Sequence, residues 1–150
     1  MISSPRKLLA VSPVVAALAL IASGCNNSNN STGPTPVLVT ETFNGSVQQG
    51  GTDTPHTFTV TSDQTQLLAG FTAIGPSGTV TSLGVGVAQW DTTSSTCGLN
   101  QPGGQNNAAT VGSTAISATA GAGAYCIRVF DGGNIPAGTT ATYTLQVQHY

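Results

Sequence analysis

Charge is what this sequence has least of. Only 5% of its 150 residues are Asp, Glu, Lys or Arg, against 39% apolar residues. Of three basic residues, Arg6 and Lys7 stand at the N-terminus and Arg128 alone lies downstream; the five acids, Glu41, Asp53, Asp63, Asp91 and Asp131, all follow residue 40. Binding a phosphate backbone requires several Lys or Arg to displace counterions, so nucleic acid is excluded as a partner. A polybasic membrane patch is excluded on the same ground. A disordered chain of low hydrophobicity would carry net charge. This one instead arranges its apolar residues in short alternating runs, the mark of a folded domain with a polar, uncharged surface.

Catalytic patterns are scarce as well. There is no G-x-S-x-G, and the only histidines are His56, at a strand start, and His149, beside the C-terminus. Each reads as a solvated histidine, without the nucleophile and base that hydrolysis needs. The acids lack the D-x-D-x-D spacing of a calcium loop. No cofactor, no metal and no catalytic residue are expected, and the chain does not read as an enzyme.

What is present begins with "MISSPRKLLAVSPVVAALALIASGC". Arg6 and Lys7 form a positive n-region, Leu8 to Ala22 an apolar h-region and Ala22-Ser23-Gly24 a small-residue approach to a cut. The apolar run is about 15 residues, short of the roughly 20 that span a bilayer as a helix, and Pro13 weakens its helix further. "ASGC", Ala22 to Cys25, resembles the lipobox of bacterial lipoproteins. The resemblance implies a helical signal peptide over 1–24, cleavage before Cys25 and diacylglycerol on its thiol. Asn26 stands where the family's inner-membrane retention signal would have Asp, which implies the outer membrane of the cell envelope. Two or more acyl chains hold stably where one holds marginally. "NNSNNSTGPTP" has nothing apolar to bury, so 25–36 reads as the lipidated cysteine and a disordered tether.

With Cys25 given to lipid, Cys97 and Cys126 remain of the three cysteines, in an exported compartment. They are expected to form a disulfide. Two thiols without a nearby histidine fall short of a zinc site, and they lack C-x-x-C spacing.

From residue 37 to 150 the apolar period is two. Strands are expected at Val37–Val47, His56–Ser62, Gln66–Gly75, Val80–Trp90, Gly123–Asp131 and Ala141–Gln148, with one or two weaker ones in Ala109–Ala120. In "VTSLGVGVAQW", Leu83, Val85 and Val87 share a face, and Gly84 and Gly86 lie opposite, where another backbone would approach or the strand bend. Asp91 to Asn107 reads as one long polar loop. Seven or eight short strands make an all-β, antiparallel β-sandwich or jelly roll. Alternation puts Cys126, Arg128 and Phe130 opposite Tyr125, Ile127 and Val129, so the disulfide would staple the loop across the outer side of a sheet. An immunoglobulin bridge would instead have Tyr two residues before the Cys.

"GAGAYCIRVFD" with "ATYTLQV", and "HTFTV" upstream, resemble the bacterial pre-peptidase C-terminal domain family. That implies a small jelly-roll-like sandwich, of a kind commonly appended to secreted hydrolases, some members binding calcium, carbohydrate or fibrous protein. Thr54-Pro55 stands where the family often has aspartates, so no calcium site is carried over.

The ligand-binding candidates are Trp90, Asp91 and Asp131. Both aspartates end strands and could converge at one rim, although capping a turn is the commoner use of Asp there. Trp90 could stack on a sugar if exposed, or plug the end of the core. The expected role is a lipid-anchored, non-catalytic binding or structural module, with the membrane, extracellular polysaccharide or an envelope protein as partner. The alternative is a carbohydrate- or calcium-binding adhesin, an accessory module to secreted hydrolases, or a cryptic hydrolase whose site forms only in three dimensions.

Overall fold

The structure is a computed structural model that describes residues 35–63, 65–98 and 104–150. The expected leader, Cys25 and the tether as far as residue 34 lie outside the described residues. Pro34–Tyr150 forms one compact unit.

Among the described residues it has nine strands: β1 Val39–Gln48, β2 His56–Val60, β3 Thr65–Gly75, β4 Ser82–Asp91, β5 Thr96–Cys97, β6 Gln105–Thr110, β7 Ile116–Ala120, β8 Gly123–Phe130 and β9 Thr140–His149. A first sheet has the order β1-β9-β3-β7, and a second runs β2-β8-β4, with β5 and β6 both pairing β4. The antiparallel pairs are nested. β1 pairs β9, β2 pairs β8, β3 pairs β7 and β4 pairs β6. A single long ribbon that doubles back after β4 is thus rolled into two sheets, which is the jelly-roll winding of a sandwich.

Period-two patterning builds the core. On β9, Ala141, Tyr143, Leu145, Val147 and His149 are buried and alternate with polar residues. Their counterparts from the second sheet include Phe58, Val60, Leu83, Val85, Val87, Ile127 and Val129. Strand β4 departs from alternation, being buried on both faces from Ser82 to Ala88. The neighbour that approaches its glycine side is an aromatic ring. Gly84 pairs with Phe130, and a Cβ on Gly84 would strike that ring.

Of the expected long loop after Trp90, residues 99–103 lie outside the described residues, and strand and turn structure enters on both sides of them. Asp91 accepts hydrogen bonds from the N–H groups of Thr93 (2.8 Å) and Ser94 (3.2 Å), reversing the chain so that Thr96–Cys97 pairs back on Trp90–Asp91. Strand β6 then begins at Gln105, inside the expected loop. The weaker region Ala109–Ala120 divides into the end of β6 and β7. Between them the chain crosses from the second sheet to the first along β3, where the N–H groups of Gly112 and Ala115 donate to the Phe71 and Ala69 carbonyls.

Candidate functional site

The cysteines meet as expected. Cys97 and Cys126 are disulfide-bonded, 29 residues apart in sequence with Cα atoms 5.8 Å apart. Cys126 lies opposite Ala88 and Cys97 opposite Trp90, so the bridge joins β5 and β8, the strands that flank β4. Cys126 is fully buried although it faces away from the core residues Tyr125, Ile127 and Val129. Trp90, on the same side of β4 as Ala88, is half-buried rather than an exposed platform.

Asp91 and Asp131 do not converge. Gln89 pairs with Tyr125 and Gly84 with Phe130, so the antiparallel register sends the two aspartates to opposite ends of the second sheet. At the usual rise per residue they stand roughly 25 Å apart. Each closes its own turn. The exposed Asp91 carboxyl is held below the ordinary range by the Ser94 hydroxyl first, at 2.6 Å, and then by the Thr93 and Ser94 N–H groups. Asp131 gathers four backbone N–H donors: Gly50 (2.8 Å), Gly133 (2.8 Å), Asn134 (2.9 Å) and Ile135 (3.1 Å). These bonds, Gly50's foremost, also lower its pKa.

The histidines are not solvated. His149 is 2% exposed; its Nε2 lies 3.0 Å from Glu41 Oε1, and its Nδ1 is buried with no partner among the described residues. His56 is half-buried. Its ring stacks on Phe43 at 4.8 Å, and its Nε2 lies 2.8 Å from the Tyr143 hydroxyl, which donates to Asp53 Oδ2 at 2.7 Å. Because a phenol has one hydrogen and it goes to Asp53, His56 carries its proton on Nε2 and donates to Tyr143. Asp53 also accepts from the N–H groups of Ser46 (3.2 Å) and Thr54 (2.7 Å). Gly45, opposite Tyr143 on β1, makes the gap, since any Cβ there would strike the Asp53 carboxylate and the Tyr143 ring. A polar seam therefore runs where β1 and β2, the rim strands of the two sheets, face each other.

Asp53, Tyr143, Glu41 and Gly45 were missed at the sequence level. The signal for the histidines was their register: His56 falls in phase with Phe58 and Val60, and His149 with Leu145 and Val147. Gly45 inside a strand was the other clue. The rest depends on pairing between distant segments and leaves no local pattern.

The seam's chemistry is that of a weld. Burial first, and the adjoining Asp53 carboxylate second, raise the Tyr143 pKa far above the usual phenol range, so it stays protonated and neutral at physiological pH. Among the described residues, no three His, Cys, Asp or Glu side chains are grouped to hold a metal ion. A depression of about 460 Å³ adjoins the seam, lined by Asn44, Gly45, Ile74, Thr142 and Tyr143 among others, and another of about 210 Å³ is lined by Gly70, Thr72, Ser113, Gln146 and Gln148 on the outer side of the first sheet. No protein-family model and no curated protein matches this chain.

Proposed function

We propose that the chain is a lipid-anchored, extracytoplasmic β-sandwich with a non-catalytic binding or structural role at the bacterial cell envelope. The observation that carries the non-catalytic part is the employment of its reactive side chains. Asp91 and Asp131 cap separate turns at opposite ends of a sheet, and His56, Tyr143 and Asp53 are bonded to one another in the seam. A hydrolytic site needs a nucleophile within reach of a base beside space for a substrate, and these groups spend their hydrogen bonds on holding the fold. The anchor rests on the resemblance of Ala22 to Cys25 to a lipobox and on the polar tether that follows. Half-buried on the outer side of β4 opposite Cys97, Trp90 is neither an open platform for sugar stacking nor a plug of the core.

The test is expression of the whole chain in a bacterium with a lipoprotein pathway, fed a labelled fatty acid. The expected product has lost residues 1–24, carries label at Cys25 and partitions with membranes, and Cys25→Ala abolishes all three. A product that keeps its leader with residue 25 unmodified overturns the reading.

A further inference from the structure

The described residues contain four exposed large hydrophobic side chains, and three are consecutive: Val37 (74% exposed), Leu38 (51%) and Val39 (38%). They lead directly into β1, which closes one rim of the first sheet; among the described residues nothing pairs beyond it. Strand β1 keeps register with β9 through ten consecutive pairs without a bulge. From Val37 to Asn44 it has no Lys, Arg, Pro or Gly, and its one charge, Glu41, turns inward to His149. Exposed edges are normally blunted by charge, proline or bulges, because bare N–H and C=O groups recruit another strand. This edge carries none of those devices, and clustered apolar exposure marks a contact surface.

The backbone fixes which groups are free. Ser46 donates its N–H outward, to Asp53. Alternation then turns the N–H and C=O groups of Thr40, Thr42 and Asn44 outward too, while odd-numbered residues bond β9. Past Asn44 the edge is closed, with Asp53 on the Ser46 N–H and the Gly51 N–H on the Gln48 carbonyl. The open stretch is therefore Leu38 to Asn44.

We infer that β1 pairs antiparallel with β1 of a second copy of this chain about a two-fold axis at Thr40, joining two four-stranded sheets into one. Outward-facing residues must oppose outward-facing residues, which an axis at any residue allows; an axis at Glu41 would set two carboxylates directly opposite each other, and one at Thr42 would bring Leu38 against the blocked Ser46. At Thr40 the axis sets Leu38 against Thr42 of the second copy, keeps clear of the blocked Ser46, and lays Val37 beside the second copy's half-buried Phe43 and Val39 beside its Glu41. A two-fold contact of this kind is self-complementary and closed, so it stops at two copies. The same edge offered to a foreign peptide would leave the match between Val37 and Phe43 without a purpose.

The test substitutes cysteine on the free edge of the whole chain, produced in an exporting, oxidising bacterium and read by non-reducing electrophoresis. Thr40→Cys is expected to give a covalent dimer, because hydrogen-bonded partners stand about 5.5 Å apart, within disulfide reach. Thr42→Cys, four residues out of register with its own counterpart, is expected to give at least tenfold less. Mass spectrometry placing the bridge at position 40 keeps the result separate from any link through Cys25, so failure of the lipid anchor does not mimic failure of the dimer. Adding Thr42→Pro to Thr40→Cys should cut the product at least fivefold with the thermal midpoint unchanged, since the N–H it removes points away from β9. No bridge at 40, equal bridging at 40 and 42, a bridge to a different protein, or a bridge indifferent to Thr42→Pro each overturns the inference.

Discussion

The two outer faces of the sandwich are built on opposite rules. On the first sheet, Thr40, Thr42, Asn44, Thr142 and Gln146 project away from the core, uncharged, and all five are exposed. On the second sheet the same side of β4 reads Ser82, Gly84, Gly86 and Ala88, all buried. The first face is an ordinary solvated surface, polar out and apolar in. The second is an additional packed layer, in which Phe130 covers Gly84 and the disulfide passes beside Ala88. Alternation thus holds on the first sheet apart from the bulge after Phe71 and on β2 of the second, and fails on the outer side of β4. Where both faces are buried, volume as well as polarity is under constraint.

The largest way to break this contrast is to remove the bridge. Replacing both Cys97 and Cys126 by alanine releases a crosslink across 29 residues. The expected cost is about 3 kcal/mol, roughly 10 °C in thermal midpoint. Calorimetry of the oxidised protein against the double variant measures it. A change under about 1 kcal/mol would mean that this layer holds without its staple.

Next in size is Gly84→Val. The new side chain must displace the Phe130 ring, an overpacking strain of about 1–3 kcal/mol. Adding Phe130→Ala should recover part of the loss, since the two residues share one space and their effects are not additive. A denaturant double-mutant cycle with no coupling would show that the ring is not what constrains Gly84.

These two predictions also separate what the sequence displays from what it hides. Strand positions, the all-β class and the Cys97–Cys126 pair follow from local period and from cysteine count. That Gly84 and Gly86 mark a crowded face was legible as well, but a glycine records only that something comes close, so the ring of Phe130, 46 residues downstream, was invisible. The short strand β5 was lost because Asp91, Thr93 and Ser94 form a turn that resembles any polar loop. The aspartates' failure to meet depends on β8 running antiparallel to β4, a fact of topology. The histidines misled by position: nearness to a strand start or a chain end suggested solvent, whereas their phase with Phe58 and Val147 pointed inward.

The seam between the sheets belongs to neither face, and Tyr143→Phe probes it. The lost hydroxyl leaves Asp53 and His56 each short of one partner, an expected cost of about 1 kcal/mol at neutral pH for half-buried groups. The pH dependence follows from the raised pKa. The folded phenol keeps its proton where the unfolded one, near pH 10, gives it up, so the native state binds more protons above that point. Its contribution is complete below about pH 10 and declines as pH rises further. Urea midpoints between pH 8 and 11 should therefore fall more steeply for the native chain than for Tyr143→Phe. Parallel curves would show that burial of the phenol carries no linkage.

The smallest effect is the most diagnostic of the contrast, because it uses the same incoming residue. Thr142 is exposed on the outer face of the first sheet, one position before Tyr143 on β9 and opposite Ser46 on β1. Thr142→Val keeps the β-branched shape that suits a strand and removes a hydroxyl that faces water. Its expected effect is within about 0.5 kcal/mol of zero. Valine at 84 and valine at 142 both occupy outward positions on central strands of their sheets; replacing Gly gains strand propensity that replacing Thr does not, so a larger loss at 84 arises against that gain and reports the second packed layer. If valine at 142 costs as much as at 84, the first face is also covered, and its rows of threonine and glutamine are a contact surface rather than a solvated one.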